Sequence, residues 1–174
     1  MADLRLSRVH KELQRFHADT TLQGMFELHV DPHDAVLGTI AARIMPPPSH
    51  LYHGQTLSLT ICTLFQGSDY PMRPPIVRFE QPQPYHPNIS CSGSICLDIL
   101  STKWKASYTI MSVLNSILVL LEEPNVNSPL NGRAATSWGK SALPSDEFLA
   151  ILRGTARKRP RDDEGGGGGK ASRT

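Results

Sequence analysis

The apolar side chains of Ile110, Val113, Leu114, Ile117, Leu118 and Leu121 constrain this 174-residue chain more than any other feature. Their spacing is helical, and the apolar face is too wide for a helix lying at a surface, so it predicts a buried helix. Thr109 caps its start and Pro124 ends it. Such a helix needs a second layer to cover it. Four short apolar runs upstream supply one: Met25, Phe26, Leu28 and Val30; Val36 to Ile44; Leu57, Leu59 and Ile61; and Ile76 to Phe79, with Gly, Pro and Asp between them. They read as antiparallel strands, and helix with sheet gives an α+β domain.

Three further helices are predicted. In the first, capped by Asp3, Leu6, Val9, Leu13 and Phe16 share a buried stripe, while Arg5, Arg8, Lys11, Glu12 and Arg15 point away from it. Ser128 followed by Pro129 reads as the cap and first residue of another, with Leu130, Ala134, Ala135 and Trp138 as its buried side. Ser145 opens the last, with Asp146 and Glu147 at its positive end and Arg153 and Arg157 at its negative end. One domain is expected over residues 1–156. Residues 157–174 hold a basic cluster, an acidic triplet and five consecutive glycines, and are expected to be a disordered tail.

Charge and cysteine content narrow the function. The net charge of +2 conceals a tail from Arg153 onward that carries +4, so the remainder is −2. Arg157-Lys158-Arg159-Pro160-Arg161 then reads as a solvated tail, with a nuclear address or a nucleic-acid contact as alternatives. No apolar run approaches the roughly 18 residues of a membrane span. The start, Met1-Ala2-Asp3-Leu4-Arg5, does not resemble an export signal, so a cytoplasmic or nuclear location is expected. Cys62, Cys91 and Cys96 are an odd count, which argues against a disulfide framework and leaves at least one thiol for chemistry.

The chemistry concentrates between Glu80 and Lys105. This stretch of about 26 residues has three prolines and no sustained period, longer than a compact domain tolerates in a loop without a function. Within it runs Tyr85-His86-Pro87-Asn88-Ile89-Ser90-Cys91-Ser92-Gly93-Ser94-Ile95-Cys96-Leu97-Asp98-Ile99-Leu100, then Lys103-Trp104. A His-Pro-Asn triplet, a cysteine eight residues after the Asn, the run Ile-Cys-Leu-Asp-Ile-Leu and a following Trp resemble the active-site segment of ubiquitin-conjugating enzymes. Tyr70-Pro71-Met72-Arg73-Pro74-Pro75, Glu123-Pro124-Asn125 and Ser128-Pro129-Leu130 resemble other stretches of that family, and the likeness runs over roughly residues 3–152. Pro124-Asn125, Ser128 to Asn131, Ala134-Ala135 and Trp138 are similar to the branch that works with the anaphase-promoting ligase.

The resemblance implies that Cys96 carries ubiquitin as a thioester, received from the activating enzyme and passed to a substrate lysine in a ligase complex. A thiol suits this, being both a good nucleophile and an acceptable leaving group. Asp98 would disfavour the thiolate by like charge, so the sulfur is expected to be positioned rather than acidified. The resemblance gives Asn88 an oxyanion-donor role, with bracing of the loop as the alternative, and makes His86 a structural member of the loop. Ser128 stands where the family often has Asp or Ser beside the active site, and a Ser cannot serve as a base near neutral pH. Arg8, Lys11, Met72 and Lys105-Ala106-Ser107 fall where the family meets its activating enzyme and RING-type ligases, although a solvated face also accounts for Arg8 and Lys11. Asn115 falls where the second helix meets the carried ubiquitin.

Plainer readings stand beside these. Cys96 alone would pass for a packing cysteine, Cys62 reads as one, and Cys91 reads as an incidental thiol. His86, Cys91 and Cys96 lack a fourth ligand for zinc. No metal or organic cofactor is expected, ATP being used upstream by the activating enzyme. Two rival functions remain, an inactive ubiquitin-binding variant and a conjugating enzyme for a SUMO-type modifier. Cys96 and Asn88 argue against the first, and the short Leu100 to Trp104 segment argues against the second.

Overall fold

The computed structural model describes residues 4–30, 38–64, 70–140 and 143–154. Helix α1 (Leu4–Ala18) precedes four strands, β1 (Phe26–His29), β2 (Thr39–Ile44), β3 (Leu57–Cys62) and β4 (Ile76–Phe79). A 3₁₀ turn, Asp98–Leu100, and helices α2 (Ile110–Glu122), α3 (Gly132–Trp138) and α4 (Asp146–Leu152) follow. The sheet is antiparallel throughout in the order β1-β2-β3-β4, with Ile44 paired to both Phe26 and Leu57, and Leu59 paired to Phe79. This is the expected α+β architecture. The Asp3 cap, the start of the second apolar run and the whole tail lie outside the described residues.

Alternation decides which face of the sheet is covered. Ile40, Ala42 and Ile44 of β2 and Leu57, Leu59 and Ile61 of β3 are buried, and the residues between them are not. They join Val9 and Phe16 of α1 and Ile110, Val113, Leu114, Ile117 and Leu121 of α2 in one core cluster. At about 1.5–3 kcal/mol for each large apolar side chain fully buried, α2 supplies a large share of what holds the domain. Its start is a capping box, in which the Thr109 side chain accepts from Ser112 N and the Ser112 side chain accepts from Thr109 N.

Two sequence expectations need correction. In α1 the buried positions are Arg5, Val9, Glu12 and Phe16, whereas Leu6 is exposed. Arg5 and Glu12 do not point away, because each has a buried partner. Arg5 Nη1 donates to Thr63 Oγ1 at 3.3 Å. The Glu12 carboxylate accepts from Tyr70 Oη at 2.7 Å, from the Ile110 amide at 2.8 Å and from Arg8 Nε. Burying a carboxylate is tolerable only with such a set of donors.

The second correction concerns α3. Its cap is Asn131, whose side chain accepts from the Ala134 amide, and Ser128, Pro129 and Leu130 precede the helix as exposed chain. The amides of Leu130 and Asn131 both donate to the Pro87 carbonyl at 2.9 Å, which holds the chain against the Cys96 loop until Asn131. Ser145 caps α4 as expected, accepting from the Phe148 amide. Among the described residues, no helix is long and apolar enough to cross a membrane.

Candidate active site

The loop after β4 folds back as a narrow hairpin. Ile89 pairs antiparallel with Ile95, Arg78 with Ser94, and the Cys96 amide donates to the Asn88 carbonyl at 2.9 Å. At its tip Ser90 N donates to Ser94 O, and Gly93 N to Ser90 O, both at 3.0 Å. Gly93 sits against β4 at φ +79, its carbonyl accepting from Phe79 N at 2.9 Å. Nothing in the sequence marked Gly93 beyond its place in a Ser-rich turn. The side-chain amides of Gln81 and Gln83 both donate to the Cys91 carbonyl at 3.0 Å, so the tip is tied from a second side.

Asn88 is wholly buried and ties this hairpin to the segment after α2. Its Nδ2 donates to the carbonyls of Asn125 at 2.8 Å and Ser128 at 3.3 Å, and its Oδ1 accepts from the Asn125 amide at 2.8 Å. Both amide hydrogens are thereby committed to backbone oxygens, the bracing geometry of the two alternatives. Asn125 was named from sequence only within a motif and given no role at the site, since its part lies in its backbone. Ser128 is exposed and contributes its carbonyl to this brace.

His86 supports the same loop from beneath. It is fully buried, its ring 6.4 Å from Tyr52 and 6.2 Å from Trp138. Nδ1 accepts from the Asn88 amide at 3.0 Å, which places the proton of the neutral ring on Nε2. Nε2 makes no hydrogen bond of normal geometry. Burial pushes the imidazole down to about 4, against a weak compensating attraction from the Leu120 carbonyl. Because the folded form resists protonation while the unfolded chain protonates near 6.5, stability from this group is complete above pH 6.5. It is lost as pH falls through 4, by about 3 kcal/mol in total. Urea denaturation between pH 7 and pH 4 should therefore show a steep loss for the parent chain and a shallower one for His86→Gln; equal slopes would count against this account.

Cys96 is partly exposed, Cys91 exposed, and Cys62, at the end of β3, partly exposed with its thiol 3.2 Å from the Leu64 carbonyl. All three are free thiols. Among the described residues, no group of three or more His, Cys, Asp or Glu is arranged to hold a metal ion. Leu97 and Ile99, just past Cys96, line a groove of ≈ 370 Å³ together with Asn115, Ser116, Val119, Leu120 and Glu123. Asn115 and Val119 are exposed along α2, so the groove is open to solvent.

The remaining predicted contact residues lie about Trp104. Its Nε1 donates to the Pro71 carbonyl at 2.8 Å, and its ring lies 5.9 Å from Tyr70 and 5.8 Å from Tyr108. Met72, 72% exposed, follows that carbonyl. Arg8 Nη2 donates to the Tyr108 carbonyl at 3.2 Å, immediately after Lys105-Ala106-Ser107. Arg8 is thus more than a solvated charge: it joins α1 to the loop before α2. Lys11 lies exposed on the same ridge, where Leu4, Ser7, Arg8, Glu12 and Arg15 line a shallow depression with it. Structure therefore gathers Arg8, Met72 and residues 105–107 around one aromatic cluster, while Asn115 belongs with the Cys96 loop.

The chain is similar to known proteins over most of its length. The family model described as ubiquitin-conjugating enzyme matches residues 8–150, most of the chain. The chain is 43% identical over 112 residues to a protein of Schizosaccharomyces pombe (strain 972 / ATCC 24843) named Ubiquitin-conjugating enzyme E2-20 kDa. That alignment covers 64% of this chain and 60% of the relative, so the chain spans less than two thirds of the relative's length.

Proposed function

Because this chain belongs to the ubiquitin-conjugating enzyme family, we propose that Cys96 accepts the C-terminal acyl group of ubiquitin and passes it to a substrate lysine. The observation that carries this is a free, partly exposed thiol on a hairpin pinned at both ends, followed directly by Leu97, which lines an open groove with Asn115. In the first step the sulfur attacks the thioester on the activating enzyme, exchanging one C–S bond for another at nearly level free energy. In the second an amine attacks the new thioester, the C–S bond breaks, and an amide forms downhill. ATP is used only upstream, and the chain needs no metal or organic cofactor of its own.

Arg8, Lys11, Met72 and Lys105 to Ser107 form the face for the activating enzyme and a RING-type ligase. Pro124-Asn125, Ser128 to Asn131, Ala134, Ala135 and Trp138 favour a ligase of the anaphase-promoting type. The conjugating domain occupies residues 1–156, residues 157–174 form a solvated basic and glycine-rich tail, and the enzyme works in the cytoplasm, the nucleus or both. His86 and Asn88 hold the loop, and Ser128, lacking a carboxylate, leaves removal of the amine proton to water or to a group on the substrate. Of other modifiers, SUMO-type proteins are disfavoured by the short segment between Leu100 and Trp104.

A charging assay with activating enzyme, ATP and one modifier at a time tests the reading. Ubiquitin should give an adduct that reductant removes. Cys96→Ser should replace it by a reductant-resistant oxyester, and Cys91→Ser should leave it intact. Loss of the adduct in Cys91→Ser alone would move the site, and no adduct with any modifier would favour an inactive, ubiquitin-binding variant of the fold.

A further inference from the structure

The loop that holds Cys96 also holds an ion pair, Lys103 Nζ to Asp98 Oδ2 at 2.6 Å. Leu97, between Cys96 and Asp98, is extended, with φ −140 and ψ 123. Residues on either side of an extended residue project from the same side of the chain, with Cα atoms about 6.6 Å apart. The Asp98 carboxylate therefore shares a side of the chain with the Cys96 sulfur, while Leu97 turns toward the groove along α2.

Beyond Asp98 the chain makes a closed ring. Ser101 N and Lys103 N both donate to the Asp98 carbonyl at 3.0 Å, and the side-chain pair closes the ring a second time. This backbone closure brings the two side chains together before they pair, which lowers the entropy lost on pairing. Asp98 in turn strengthens the hold of Lys103 on its proton, first by the hydrogen bond and then by charge. Both side chains remain largely exposed, at 62% and 71%, so the pair can open to a competitor.

A competitor follows from the proposed transfer, on which this inference rests. The acceptor is a lysine, which arrives as an ammonium and must come close to Cys96. Ser128 offers it no carboxylate, whereas Asp98 does. We propose that Lys103 determines acceptor specificity by occupying Asp98: its ammonium sits where an incoming lysine is drawn, and the acceptor must displace it. A lysine delivered by a docked substrate does so through its high effective concentration, whereas a free amine must be supplied at a correspondingly higher bulk concentration. Once seated and deprotonated, the acceptor nitrogen gives its lone pair to the thioester carbonyl carbon. The C–S bond breaks with its electrons to sulfur, and the proton leaves to solvent.

The test uses the full chain, charged with ubiquitin and chased with free L-lysine over a concentration series, counting only the charged fraction. Lys103→Met should lower the lysine concentration for half-maximal discharge about three- to fivefold, the scale of an exposed but well-aligned pair, with little change in the maximal rate. Lys103→Arg, which keeps the pair, should follow the parent curve. Asp98→Asn should raise the half-maximal concentration, and adding Lys103→Met to it should change nothing further. A Lys103→Met curve equal to the parent's, or the same gain in the Asp98→Asn background, would overturn the proposal. Failure of the parent chain to charge would instead count against the carrier reading.

Discussion

Gly93→Ala should destabilise the domain by about 2–5 kcal/mol and abolish most charging of Cys96. Two costs add. At φ +79 an L side chain is strained by roughly 1–2 kcal/mol. A Cβ there would also stand 2.0 Å from the Phe79 carbonyl oxygen and 3.0 Å from its carbon, both backbone atoms that no rotamer change can move. The hairpin would have to lift from β4, giving up the 2.9 Å bond from Phe79 N to Gly93 O and exposing or orphaning its partners, at about 1–3 kcal/mol. Gly54→Ala provides the control. It has the same sign of φ, at +83, but nothing within 4 Å of the added methyl, so it isolates the conformational cost. Urea denaturation of the two variants should separate them by about 1–3 kcal/mol, with Gly93→Ala the weaker. A Gly93→Ala chain no weaker than Gly54→Ala would show that the hairpin is not seated through this glycine.

That glycine also shows where the sequence was readable. Strands and α2 were legible because their signal is local: alternation in β2 and β3, and a helical stripe with a Thr cap in α2. In α1 the period was right, but the face was rotated, because Arg5 and Glu12 look like surface residues to any local rule. Their burial depends on Thr63, Tyr70 and Ile110, which are 58 to 98 residues away. Ser128-Pro129 was a sound local start signal for α3, overridden by two amides that the Pro87 carbonyl holds out of the helix. At the site, Cys96, Asn88 and His86 were legible as a pattern. What Asn88 and Gly93 touch was not, since Asn125, Ser128 and Phe79 are brought to them only by the fold. The aromatic cluster at Trp104 likewise joins three segments whose proximity no spacing in the chain encodes.

Asn88→Ala distinguishes brace from oxyanion donor. As a brace, the fully buried Asn88 side chain satisfies the amide and carbonyl of Asn125 and the carbonyl of Ser128. Truncation leaves these groups unpaired, and at about 1–3 kcal/mol for each poorly rehydrated one the expected loss is roughly 3 kcal/mol. Asn88→Asp should fare no better, because a carboxylate oxygen would replace the amide nitrogen that faces two carbonyl oxygens. If Asn88 served only as an oxyanion donor, transfer would fall about 10²- to 10³-fold with stability unchanged. The committed hydrogens predict the other pattern: lower stability in urea, faster hydrogen exchange at the Asn125 amide, and slower charging and discharge together, since both steps use the same loop. An Asn88→Ala chain with parental stability and an intact Asn125 exchange rate, yet slow transfer, would show that the amide turns from its carbonyl partners to the reacting carbonyl during each cycle.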